Sequence, residues 1–213
     1  MSERDFQRRV GQRFARLVTN AVVASPELWR VFRGLTRRQF DAMAPTWDAL
    51  RPPEAFAALA RALDALPNPP ARVLDIGTGT GKAALTIAER FPEADVQGVD
   101  IAARMVEEAK RLTPPELAGR VHFDVADSAQ LPYADGTFDL VSLANMIPFF
   151  DEIARLVTPD GSIVVSFSAG PETPIYVPVE RLRTELGRRG FADFAEFDAG
   201  GGTALLARRP ERS

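Results

Sequence analysis

The 213-residue chain has no cysteine and a single histidine, His122. The first absence excludes disulfides, cysteine-ligated zinc or iron–sulfur centres and thiol nucleophiles; the second excludes a histidine metal cluster, so no metal is expected. Lysine is nearly missing as well, occurring only at Lys82 and Lys110, so positive charge is carried by arginine. Long apolar stretches are also lacking. The longest runs without a charged residue, Leu140–Phe150 and Gly161–Pro171, are 11 residues each, against about 20 for a helix that crosses a bilayer. No apolar segment follows the arginine-rich start, so a secretory leader is not expected and the cytoplasm is the default location. Net charge is only −3, but nine arginines in residues 1–40 face Glu3, Asp5 and Glu27 alone, a local +6 that leaves −9 on the remainder.

What is present concentrates in one stretch. Val73, Leu74, Asp75, Ile76, Gly77, Thr78, Gly79, Thr80 and Gly81 read as a short apolar strand, a carboxylate and a turn with glycine at every second position. Asp100 ends another apolar run 19 residues beyond Gly81. Strand, glycine turn, helix and a second strand ending in an acid describe a nucleoside-binding unit, with backbone open to the ligand and a carboxylate for a ribose. The dinucleotide fingerprint requires a third glycine where Lys82 stands. A phosphate-cradling loop requires glycine at Ile76 and a hydroxyl residue at Ala83. Neither phosphate-binding pattern is met.

From Arg72 onward the apolar pattern predicts strands near 72–76, 95–100, 121–125, 137–144 and 161–168, with helices near 81–91, 102–112 and 149–157. A helix over 178–189 follows, then strands over 191–197 and 203–208 joined across Gly200, Gly201 and Gly202. Such alternation makes a parallel sheet covered on both faces, to which a tight C-terminal hairpin adds an antiparallel edge. Ahead of this lie an amphipathic helix over 5–24, a helix opened by Ser25 as cap and Pro26, and helical pattern over 37–43 and 53–66. Pro67, Asn68, Pro69 and Pro70 form a stiff linker. The expected division is a helical cap or lid at 1–70 and a core at 71–213.

The pattern Asp75-x-Gly77-x-Gly79-x-Gly81, with Asp100 after it, resembles the class I S-adenosylmethionine-dependent methyltransferases. Phe40, Asp41, Ala44, Trp47 and Asp48 are similar to the pre-core stretch of small-molecule methyltransferases akin to those of ubiquinone and menaquinone biosynthesis, where it closes over the cofactor. The resemblance implies an α/β fold with a Rossmann-like seven-stranded mixed sheet, an antiparallel C-terminal edge hairpin, helices on both faces and an N-terminal helical lid. It implies S-adenosylmethionine as cofactor, held at Gly77, Thr78, Gly79 and Gly81, with Asp75 toward the methionine moiety. Asp100 would accept the ribose hydroxyls beside Ile101 on the adenine, Asp127 and Ser128 would read the adenine edge, and Asn145 would meet cofactor and acceptor. The residues alone also allow Asp100 as a helix cap and Asp127 with Ser128 as a turn pair.

The activity so implied is methyl transfer to a small, apolar or aromatic acceptor. No general base stands at a telling spacing: Asp48, Tyr176 and Asn145 are pocket candidates without an assigned catalytic role. His122, inside a strand pattern rather than at its C-terminal end, reads as structural or partly buried. Trp29, Phe32, Phe40, Trp47 and Phe56 together suit a roof over an apolar pocket. A second reading is a non-catalytic S-adenosylmethionine or nucleoside-binding protein, a sensor or partner subunit, motivated by the compact stretch Asn145–Leu156. The basic N-terminus raises nucleic acid as a partner, but the acidic remainder and the lack of a basic aromatic motif argue against it. The basic helix over 5–24 allows weak contact with an anionic membrane surface, against the simpler role of a packed lid. Nothing in the sequence specifies an oligomeric state.

Overall fold

A computed structural model describes residues 15–48 and 54–210. Seven strands form one mixed sheet in the order β3-β2-β1-β4-β5-β7-β6. They are β1 (Arg72–Ile76), β2 (Asp95–Asp100), β3 (Val121–Val125), β4 (Phe138–Ala144), β5 (Val157–Phe167), β6 (Ala192–Ala199) and β7 (Gly202–Arg208). The first five pair in parallel, whereas β7 runs antiparallel to both β5 and β6. The Rossmann-like mixed sheet with its reversed C-terminal edge is therefore as expected.

Apolar residues on both sides of the central strands explain why helices cover both faces. On one face, Val73, Val96, Phe123, Leu140 and Val164 pack under α3 (Ala57–Asp64), α4 (Lys82–Arg90) and α5 (Ala103–Leu112). On the other, Leu74, Ile76, Val141, Leu143, Ile163 and Val165 meet α6 (Phe150–Leu156) and α7 (Val179–Gly187). Two further helices, α1 over 15–24 and α2 (Trp29–Met43), precede α3.

From Arg72 onward element bounds agree with the sequence pattern to within two residues, β5 excepted, whereas α3 covers only Ala57–Asp64 of the helix expected over 53–66. β5 begins at Val157 rather than 161, because Val157 pairs with Phe138 before the register jumps to Leu140 opposite Ser162. The intervening Pro159 cannot donate to the ladder, and Asp160 has φ of 66°. The serine cap is not made: Ser25 has no side-chain bond to the turn Pro26–Leu28, and one continuous α2 runs from Trp29 through the stretch predicted at 37–43. Of the helix expected over 5–24, residues 5–14 lie outside the described residues. α3, grouped by sequence with the N-terminal helices, packs beneath β5, β6 and β7.

Candidate functional site

Strand order reverses between β1 and β4, and in such sheets the crevice beyond the strand ends at that point is where ligands bind. Gly77 follows β1 there and Asn145 follows β4. The crevice opens into a cavity of about 520 Å³, within the usual range for small-molecule sites.

The glycine turn is shaped by its neighbours. Gly77, Gly79 and Gly81 have φ of 71°, 55° and 86°, values open to glycine at little cost. The backbone N–H groups of Gly77 and Thr78 both donate to the Val99 carbonyl, at 2.8 and 3.0 Å. Gly79 N–H donates to Asp100 Oδ2 at 2.9 Å, while Asp100 Oδ1 accepts from Ala102 N–H at 2.9 Å. Asp100 therefore clamps the turn and also holds Ala102, the residue that leads into α5. With the N–H of Ile101 also directed at it, the carboxylate accepts from three backbone donors and keeps capacity for a further one. Burial raises the pKa of Asp100 above the ordinary carboxylate value, opposed by the N–H groups of Ala102, Gly79 and Ile101 and reinforced by the charge of Asp41.

Among the residues singled out by sequence, Gly77, Gly79, Asp100, Ile101, Ser128 and Asn145 line this cavity. The other four do not. Gly81 starts α4, and Thr78 and Asp75 are buried behind the turn. Asp127 instead faces α2: its Oδ1 accepts from Trp29 Nε1 at 2.7 Å and Ala129 N–H at 3.1 Å, and its Oδ2 accepts from Arg33 at 3.2 Å. Asn145, in the left-handed region with φ of 54°, accepts at Oδ1 from Ser168 N–H at 2.8 Å and Ser168 Oγ at 3.1 Å. This ties the ends of β4 and β5 together at the cavity wall.

The N-terminal helices form the roof. Trp29, Phe32, Phe40 and Met43 of α2, with Trp47 after it, line the cavity beside Val18 and Thr19 of α1. Phe40 and Trp47 meet edge to face at 5.4 Å. Further bonds between described residues fasten the roof to the core besides those at Asp127. Asp41 Oδ1 accepts from Arg104 N–H in the first turn of α5 at 3.0 Å, Thr80 Oγ1 donates to Asp48 at 2.6 Å, and Arg16 donates to the Pro171 carbonyl. Phe56 departs from the expected roof; it packs against the sheet core under α3. Asp48 and Tyr176 do not line the cavity, Tyr176 lying edge to face on Phe167 at 5.1 Å. His122 is exposed on edge strand β3, so it is neither partly buried nor near the site.

Sequence reasoning missed Met146 and Ser168. Met146 lies under the turn, its Sδ 2.6 Å from where a side chain on Gly77 would begin. Neither residue carries a motif. Asp100 is the one ionisable side chain among the described residues that line the cavity, beside the hydroxyls and amides of Thr19, Thr36, Gln39, Ser128, Asn145, Ser168 and Thr173. No group of three or more acidic or histidine side chains suited to a metal occurs among the described residues. The arrangement suits a ligand with a hydroxyl-bearing end at Asp100 and apolar bulk under α2.

Known proteins give the same picture. A methyltransferase-domain family matches residues 73–161. A demethylmenaquinone methyltransferase of Thermus thermophilus is 39% identical over 139 residues, 59% of this chain and 62% of that one. A ubiquinone/menaquinone biosynthesis C-methyltransferase of Geotalea daltonii is 31% identical over 163 residues, 68% of this chain and 67% of that one. The chain thus spans just under two thirds of the Thermus relative's length. In fold, the crystal structure of an S-adenosylmethionine-dependent methyltransferase from Aquifex aeolicus aligns with a TM-score of 0.62 over 76% of this chain and 95% of that one, at 18% identity.

Proposed function

Because the chain belongs to the class I S-adenosylmethionine-dependent methyltransferases, in the group of the ubiquinone and menaquinone biosynthesis enzymes, we propose that it transfers the methyl group of S-adenosylmethionine to a small apolar or aromatic molecule. The observation that carries this reading is Asp100, clamped by Gly79 and Ala102 at the floor of an apolar cavity with acceptor capacity left on its carboxylate.

The residues fit the cofactor. In this reading Asp100 would hold the ribose diol, Ile101 and Ser128 would meet the adenine, and the bare turn at Gly77 and Gly79 would admit the remainder, all of them lining one cavity. Bound there, S-adenosylmethionine supplies an electrophilic methyl carbon whose leaving group is a neutral thioether. The protein's part is then alignment and exclusion of water. Holding two reactants in attack geometry is worth about 7–11 kcal/mol in favourable cases. α1, α2 and the wall at Thr173, Pro174 and Ile175 enclose the space in which an acceptor would be held. Phe32, Phe40, Met43, Ile147 and Ile175 favour an apolar acceptor, and a permanently charged one would face Asp100 or no counter-charge among the described lining residues.

Calorimetry with S-adenosylmethionine and S-adenosylhomocysteine, followed by transfer of labelled methyl to a panel of neutral aromatic acceptors, tests the reading. Binding of both and turnover with at least one apolar acceptor is expected. Failure of both to bind at millimolar concentration ends it, and binding without turnover across the panel removes the catalytic part.

The raised pKa of Asp100 sets a pH dependence. Ribose hydroxyls donate to the charged carboxylate, so cofactor binding favours the ionised form. Affinity is expected to fall on acidification before pH reaches the ordinary aspartate value of about 3.9, approaching tenfold per pH unit once the free site is protonated. In the ligand-free protein the sign is opposite. A carboxyl whose folded pKa is raised favours the fold below its unfolded pKa and loses that contribution as pH rises through the folded one. Titrations from neutral pH downward check this, and affinity that stays flat to the ordinary aspartate value refutes it.

A further inference from the structure

α2 has two faces of different kinds. Trp29, Phe32, Phe40 and Met43 turn into the cavity, Val31 and Arg38 lie on the outer side, and Leu35 stands between the two at the cavity's edge. Val31 is 73% and Leu35 59% exposed, although both are large apolar residues. Of the five exposed large apolar side chains among the described residues, Leu17, Leu28, Val31 and Leu35 all belong to the helices and turn that roof the cavity. Leu35 is both exposed and part of the cavity lining, so the patch continues into the mouth.

Beside this patch lie three arginines of α2. Arg30, Arg37 and Arg38, exposed on the outer side of α2, make no ion pair among the described residues. Exposed apolar side chains flanked by unpaired cations complement an interface with anionic headgroups above and acyl chains below.

We propose that the outer face of α2 docks on an anionic lipid surface, with Val31 and Leu35 entering the headgroup boundary and Arg30, Arg37 and Arg38 meeting lipid phosphates. The cavity mouth at Leu35 then opens toward the lipid, from which an apolar acceptor enters without crossing water. The docking surface stands on exposure and charge; its use for acceptor delivery rests on the reading of the reaction given above. It also places membrane contact on α2, rather than on the helix expected over 5–24.

Flotation of the full chain with phosphatidylcholine vesicles, with and without phosphatidylglycerol, tests this. Co-flotation is expected only with phosphatidylglycerol, weakening as salt is raised. Replacing Arg30, Arg37 and Arg38 together with serine should lower partitioning about 100-fold, from roughly five-fold per arginine at an anionic surface. Val31→Asp should lower it further. Calorimetric affinity for S-adenosylmethionine in the triple variant serves as the control for folding and should be unchanged. Failure of the unmodified chain to float, equal flotation of the triple variant, or loss of flotation on deleting residues 1–14 alone would each overturn the proposal. So would self-association of the chain that depends on Val31, which would assign the face to a second copy. Cofactor binding without flotation overturns this inference and leaves the proposed reaction standing.

Discussion

Asp100→Ala is expected to weaken S-adenosylmethionine binding by at least about 100-fold. A hydrogen bond to a charged group is worth about 1.5–3 kcal/mol, and a ribose offers two such donors, so even the low estimate reaches about 3 kcal/mol, or two decades in affinity. The substitution also removes the acceptor for Gly79 N–H and Ala102 N–H. The glycine turn is then free to leave the position set by Asp100, and Ala102, which leads into α5, loses its partner. Asp100→Asn separates these roles. Its carbonyl oxygen can keep one of the two backbone bonds, but its NH₂ repels rather than accepts the second donor. The asparagine variant should therefore bind more tightly than the alanine variant and less tightly than the unmodified chain. Calorimetry with S-adenosylmethionine and S-adenosylhomocysteine, run beside thermal melts, checks the order; alanine affinity within threefold of the unmodified chain would sink the ribose assignment.

The second large effect lies behind the turn. A side chain on Gly98, in β2, would begin 2.5 Å from Phe123 Cδ1, 2.6 Å from Phe123 Cε1 and 2.8 Å from Thr78 Oγ1. One on Gly81 would begin 2.8 Å from Phe123 Cζ. The ring of Phe123, 3% exposed, thus fills the space that both glycines leave, and it supports the cofactor turn from beneath. Gly98→Ala is expected to cost about 2 kcal/mol through overpacking, lowering the melting temperature by roughly 4–8 °C for a chain of this size. Phe123→Ala leaves a cavity and should cost about 3–5 kcal/mol. Combined, the two should cost less than their sum by about 1 kcal/mol or more, because the added methyl moves into vacated space. Denaturant unfolding of all four proteins gives the coupling, and additive costs would show that the ring and glycine do not compete for one volume.

These two sites differ in how far they could be read in advance. Asp100, Gly77 and Gly79 were legible because their geometry is local: an acid at a strand end and glycines with positive φ in the turn that leaves the neighbouring strand. Asn145 and Ser128 follow from the same rule, since strand ends at a sheet's switch point face one crevice. Phe123 carried no such signal. It read as one apolar residue in a strand, and its contacts with Gly81 and Gly98 arise only when β2, β3 and α4 pack together.

Asp127 shows the opposite case. The resemblance implies a place on the adenine edge, and its described bonds come from Trp29, Arg33 and Ala129. Trp29 is 98 positions away in the chain, and no spacing rule reaches across that distance. The same holds for Asp41 against Arg104 and Asp48 against Thr80, which join the roof to the core. Each pair consists of ordinary surface residue types, recognisable as partners only once folded.

By itself, the sequence determined the strands and helices of the core, the reversed C-terminal hairpin, the glycine turn and the acid at the end of β2. Periodicity of burial and the left-handed backbone of glycine act over a few residues, so they are written in neighbouring letters. The tertiary structure decided which side chains share the cavity, that Asp127 answers to the roof, that Phe123 props the turn, and that α2 shows an apolar, arginine-edged face outward. Those depend on the packing of segments distant in the chain, where complementary shape and charge select partners that no local pattern names.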